Sequence, residues 1–206
     1  MAVREAALPE LPKTEPKMAL ILASASPRRL ALLRQIGMDP DLVEPAAVDE
    51  TPLPRERAAD YALRVARAKA AAVSVRHRGA FVLAADTVVA VGRRILPKPE
   101  DEAAARACLK LLSGRRHRVL GAVVVVAADG REAHRLVTTR VAFKRLTAAE
   151  IDGYLASGEW RDKAGGYAVQ GLAARFIPWI SGSYPNVVGL PLTETVALLR
   201  GLGYRP

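Results

Sequence analysis

One junction constrains this chain more than any other: in residues 20–37, LILASASPRRLALLRQIG, a strand passes almost at once into a helix. Residues 19–23 form a short, continuous apolar run, the pattern of a strand buried on both faces. Ser26 then reads as an N-cap and Pro27 as the first helical position. Leu30, Leu33 and Ile36 recur at helical spacing until Gly37. So short a turn gathers the Ser24 and Ser26 hydroxyls, free backbone N–H groups and the side chains of Arg28 and Arg29 around one helix N-terminus. That end of a helix carries about half a positive charge and favours acids, so two arginines there call for an anion, phosphate first. The alternative is a solvated basic first turn on a core helix.

With 206 residues, half of them apolar and a quarter charged, the chain can bury a sizeable core as one domain or two closely joined lobes. It has no run long enough to span a membrane and lacks the basic-then-apolar order of a signal peptide, so a cytoplasmic location is expected. Cys108 is the only cysteine, which leaves no intrachain disulfide framework and no thiolate metal cage; its neighbours suggest a core position. The net charge of +10 permits polyanionic partners, but the arginines are scattered rather than gathered in a tail, and aromatic residues for stacking are few.

Residues 1–17 mix Pro, Glu and Lys without periodicity and are expected to form a mobile leader before a single domain over 18–206. Residues 39–54 are Pro-rich and hold Asp49 and Glu50, read either as a solvated acidic loop or as part of a site. A long helix is predicted over 55–75. Lys69 lies on or beside its apolar stripe, where a lysine either snorkels to the rim or meets a negative partner in a cleft. Residues 81–91, FVLAADTVVAV, are the clearest strand. Asp86 in its middle is costly to bury without a cation or several donors: either the strand ends there and Asp86 caps a turn, or it points into a polar cleft as metal ligand or base, the better fit because residues 88–91 continue the strand pattern. Gly92-Arg93 turns the chain back, and Pro97 and Pro99 stiffen the backbone around Lys98, which can meet an anion or the acids at 100–102. A helix to about Leu112 follows.

Strands are predicted over 119–127 and 133–146, joined by Asp129-Gly130. His117, without partners at ligand spacing, is weak evidence for any site. Thr147 and Glu150 form a capping box for a helix that Gly158 ends. The glycine-rich stretch beside Asp162, Lys163 and Gln170 suits a loop approaching a ligand, with the Gln170 amide able to read a base edge. A strand over 176–180, turns over 181–186 and a helix over 193–199 complete the reading.

Taken in order, LASASPRRLALL, the acid of VDE, ARAKA, AADTVV, the Lys-Pro after the hairpin, LSGRRH, DKAGGYAVQG and NVVGLPL resemble the Maf family of nucleotide pyrophosphatases. The resemblance implies an α/β fold: an elongated mixed sheet flanked by helices, in two lobes with the site in the cleft between them. It implies hydrolysis of a nucleoside triphosphate to the monophosphate and pyrophosphate with a divalent metal, Mg²⁺ or Mn²⁺, in a homodimer. Carried over residue by residue, Ser24, Arg28, Lys69 and Lys98 would meet the triphosphate. Glu50 and Asp86 would be metal and water ligands, with Asp86 as proton acceptor, and Arg28, Thr87 and Gln170 would tune substrate choice.

Asp86-Thr87 with YAVQG is similar to the branch acting on dTTP and UTP rather than the one acting on 7-methyl-GTP. The extra leader and Gly121, where threonine is common, depart from the family pattern. The catalytic set expected is Asp86, Glu50 and Lys69, with Ser24, Ser26, Arg28, Arg29, Thr87, Lys98 and Gln170 binding substrate. A nucleic-acid-binding module and a cell-division regulator are the rival readings; the first requires steep salt dependence and no product.

Overall fold

The computed structural model describes residues 18–205; the leader expected over 1–17 lies outside them. The chain runs β1 (Leu20–Leu22), α1 (Pro27–Gln35), β2 (Leu42–Val43), α2 (Ala58–Ser74), β3 (Phe81–Val91) and β4 (Arg94–Leu96). It continues through α3 (Glu102–Leu112), β5 (Arg116–Val126), β6 (Glu132–Ala142), α4 (Ala148–Ala156), β7 (Trp179–Ser181), α5 (Tyr184–Val188) and α6 (Leu192–Gly201). One mixed sheet takes the order β2-β1-β3-β5-β6-β7, with β4 beside β3. Its β2-β1-β3 edge is parallel and the remaining pairs antiparallel. None of the described helices is long and apolar enough to cross a membrane.

β3 organises the molecule. Along one edge it pairs with β1 at Phe81–Leu83 and with β4 at Val89–Val91, so no strand lies beside residues 84–88 on that edge. Side chains alternate across it. On one face Phe81, Leu83 and Ala85 join a core with Leu32, Leu33, Leu198 and Leu199, while Val89 belongs to a second core with Leu109, Leu112, Tyr154 and Phe176. Thr87 falls between these two cores, which are the two lobes. On the other face Val82, Ala84, Val88 and Ala90 pack under Ala62, Ala66 and Ala70 of α2, and Asp86 interrupts that core. The break between lobes and the bare edge therefore coincide, and a cleft opens there.

Several boundaries differ from the sequence reading. The helix predicted over 55–75 starts at Ala58, because Arg55 sits at φ 62° and cannot continue an α-helix. The strand read from Val119 begins at Arg116. The strand predicted over 133–146 ends at Ala142, because Lys144 N–H donates to the Phe176 carbonyl and Leu146 N–H to Ser113 Oγ, away from the sheet. Residues 172–176, partly read as strand, form a 3₁₀ turn that buries the Phe176 ring, and β7 follows it at Trp179–Ser181. β2 and α5 arise inside stretches read as loop and turns. Ser183 Oγ accepts from Asn186 N–H to cap α5.

Candidate active site

All ten residues singled out from the sequence line one cleft of about 390 Å³. The turn after β1 supplies its floor. Ser24 is buried, and its Oγ accepts from the Ser26 N–H (3.2 Å) and from Arg29 Nη1 (3.0 Å). Ser26 is the N-cap of α1, but its hydroxyl makes no cap bond; Pro27 has no N–H and the Arg29 N–H turns back to the Ser26 carbonyl, so no side chain caps the Arg28 N–H. The two arginines there play different parts. Arg29 is only 8% exposed and donates to the Gly189 carbonyl (2.9 Å), Ser24 Oγ and Thr87 Oγ1 (3.2 Å), tying α1 to β3 and to the end of α5. Burial lowers its pKa, against the opposing field of Asp86. Arg28 stays half-buried at the cleft and reaches the Asp162 carbonyl on the opposite lip (3.3 Å); burial lowers its pKa too.

The two acids share the Lys69 ammonium. Lys69 is 7% exposed; its Nζ lies 2.8 Å from Glu50 Oε1 and 2.9 Å from Asp86 Oδ1. Of the two sequence alternatives for this lysine, the negative partner in a cleft is the one realised. Asp86, 5% exposed in mid-strand, has the cation its burial requires. Lys98 lies 3.4 Å from Glu50 Oε2, not beside the acids at 100–102. Burial pushes the Glu50 pKa up, but its bonds and charge attraction to Lys69 and Lys98 outweigh that and hold it below the usual range. The loop that presents Glu50 is fixed by the Tyr61 hydroxyl donating to the Glu50 carbonyl at 2.7 Å. Its neighbour Asp49 turns instead to the Thr51 N–H, the ordinary loop reading.

The far wall is the glycine-rich loop. Gly165 and Gly166 both take φ 69°, and a Cβ at Gly165 would meet Val89 at 3.0 Å, so only glycine lets this backbone lie against β3. Asp162, Lys163, Tyr167 and Gln170 face the cleft from it, Gln170 at the exposed rim. Sequence reasoning left Tyr167 and its support unassigned. His117 is 2% exposed, and its Nε2 lies 2.7 Å from the Tyr167 hydroxyl, holding the loop from behind. Its only sequence signal was its place in LSGRRH.

Gly121 likewise gains a reason. It pairs with Thr87 in register, and a Cβ there would stand 1.9 Å from Asn186 Oδ1. Asn186 is fully buried and donates through Nδ2 to the Val119 carbonyl and Thr139 Oγ1, pinning α5 so that the Gly189 carbonyl reaches Arg29 and Thr87.

No group of three or more His, Cys, Asp and Glu side chains that could hold a metal gathers among the described residues. Glu50 and Asp86 are nonetheless hard oxygen donors brought together on one ammonium. One or two carboxylates completed by phosphate oxygens is the usual way a small divalent cation is held beside a nucleotide. The residues present fit such an ion.

Residues 19–202 match the family described as Maf-like protein. A protein of Paramagnetospirillum magneticum named dTTP/UTP pyrophosphatase is 66% identical over 187 residues, 91% of this chain and 98% of its own. One of the same name from Caulobacter vibrioides is 66% identical over 188 residues, covering 91% and 97%. Among solved structures, the Staphylococcus aureus Ham1 protein is 15% identical, with a TM-score of 0.45 over 89% of this chain and 98% of that one.

Proposed function

The chain belongs to the family of Maf-like proteins, and from that premise we propose that it is a nucleoside triphosphate pyrophosphatase hydrolysing dTTP and UTP to the monophosphate and pyrophosphate. The observation that carries this reading is the convergence of five cationic side chains with two acids joined on Lys69 in one cleft. A solvated basic surface, as a nucleic-acid module needs, would not bury Asp86 and Lys69 together. The relatives' shared name favours the dTTP and UTP branch over the 7-methyl-GTP branch.

In this reading Ser24, Ser26 and Arg28, with the open N-terminus of α1, take phosphate oxygens; Arg29 fixes that turn; and Lys69 and Lys98 hold the remaining charge. Lys69 occupies one oxygen of Asp86, leaving the other to orient a water and accept its proton. That water attacks the α-phosphorus, the bond to the bridging oxygen breaks, and pyrophosphate leaves toward the cations. Thr87 and Gln170 act on substrate choice.

Five cationic and three acidic side chains line the cleft, a net of two positive charges. Against about four negative charges on the substrate, the shortfall is what one divalent ion on Glu50 and Asp86 would make up, Mg²⁺ or Mn²⁺. When bound, such an ion supplies Lewis-acid charge neutralisation at the phosphates. The reading also takes 18–206 as one domain, acting in the cytoplasm as a homodimer, the last checked by light scattering.

The test is product identity. Incubated with dTTP or UTP and Mg²⁺ or Mn²⁺, the protein is expected to release monophosphate and pyrophosphate. Release of the diphosphate and orthophosphate, or of nothing across a nucleotide panel, would refute the reading.

A further inference from the structure

Three cations in the cleft have no carboxylate within ion-pair distance among the described residues: Arg28, Arg29 and Lys163. Arg29 is fully engaged by its own chain, and Arg28 was singled out from the sequence. Lys163 has no assigned part. It is half-buried, on the loop that forms the wall opposite α1. The bond from Arg28 Nη2 to the carbonyl of the preceding residue, Asp162, brings the two lips together and places Lys163 near enough for the Arg28 charge to act on it. Its Nζ makes one bond, to the Arg161 carbonyl at 3.1 Å, and an ammonium has three donors. Glu159 and Asp162 lie near enough to favour its charge, while burial and the neighbouring Arg28 oppose it more strongly.

Asp162 itself holds φ 58°, an uncommon conformation for a residue other than glycine, so the backbone that turns Lys163 inward is specifically shaped. Two like charges that share a partly desolvated cleft repel, and a polyanion bound to both turns that repulsion into attraction for each. We propose that Lys163 is a substrate-contacting residue whose ammonium, with Arg28, clasps the triphosphate from the loop side, making the phosphate site a two-lipped one. This deepens the pyrophosphatase reading and rests on it.

The test is calorimetric binding of dTTP and of inorganic triphosphate to the full chain, without divalent ion so that no turnover intervenes. Wild type, K163A, K163M and K163R are compared, with thermal melts to show that each folds. A charge-assisted contact predicts that K163A and K163M bind both ligands at least about 10-fold more weakly, with K163R staying within about threefold of wild type. The inference is overturned if K163A or K163M binds dTTP within about twofold of wild type. It is equally overturned if dTTP binding falls while inorganic triphosphate binds as before, because the side chain then serves the nucleoside. If the wild type binds dTTP but releases no pyrophosphate with Mg²⁺ or Mn²⁺, the proposed reaction fails while this comparison still decides the contact.

Discussion

Lys69 compensates two carboxylates at once, and its removal separates structure from chemistry at the residue scale. In Lys69→Met the side chain keeps its length on the apolar stripe of α2, but Asp86 and Glu50 lose the cation between them. Removing one partner of a buried pair costs about 3–5 kcal/mol; Glu50 is partly exposed, so the lower end is expected, read as a shift in urea midpoint. Unchanged stability would mean that water already screens the pair. His117 makes a second prediction at this scale. Burial pushes its pKa from 6.5 down to about 4. Between those values the unfolded chain carries a proton that the folded chain lacks, so stability falls as pH drops through this window, by at most about 3 kcal/mol at its lower end. Glu50, whose folded pKa is depressed, loses its contribution only below the usual carboxylate range, so pH 5 to 6.5 isolates the histidine. Melting temperatures of His117→Gln are expected to be flatter across that range than those of wild type; an unchanged slope would assign the effect elsewhere.

At the scale of elements, the site depends on how three pieces of chain meet at Thr87: β5 beside it in the sheet, the end of α5 through the Gly189 carbonyl and the start of α1 through Arg29. Gly121 is the contact that sets the spacing. Gly121→Ala puts a methyl group where Asn186 Oδ1 lies, and displacing α5 withdraws the Gly189 carbonyl from Arg29. A loss of about 1–3 kcal/mol in stability is expected, together with a raised KM for the nucleotide; a variant equal to wild type in both would show that α5 yields freely. Elements such as β3 were legible because an eleven-residue apolar run with one carboxylate has few readings. The capping box at Thr147 and the Pro27 start of α1 were legible because their signals are local. α5 was not, because a five-residue helix held by a buried asparagine has no periodicity to read. The end of β6 was missed because the N–H groups of Lys144 and Leu146 go to Phe176 and Ser113, distant in sequence, and the start of β7 because the chain before it turns in a 3₁₀ helix.

For the whole molecule, one sheet serves two lobes and leaves part of its central strand bare between them, which is why residues far apart in sequence share a cleft. Arg29 and Gly189 are 160 positions apart and Arg28 and Asp162 are 134 apart, yet both pairs are bonded. Local pattern indicated that Ser24, Arg28, Lys69, Asp86 and Lys98 were unusual where they stood, and the family resemblance indicated that they belong together. Lys163 in the glycine-rich loop and His117 in LSGRRH both stand in stretches noted from the sequence, but neither pattern nor resemblance gave either residue a role, because the His117 brace behind Tyr167 depends on how that loop returns to β3.

The central claim is that Asp86, held by Lys69 in this cleft, takes the proton of the attacking water. Steady-state pyrophosphate release by Asp86→Asn, with dTTP binding measured alongside, tests it most directly. The expected result is a loss of at least about 100-fold in kcat with the nucleotide still bound, as for removal of a general base. Release of pyrophosphate at the wild-type rate would contradict it.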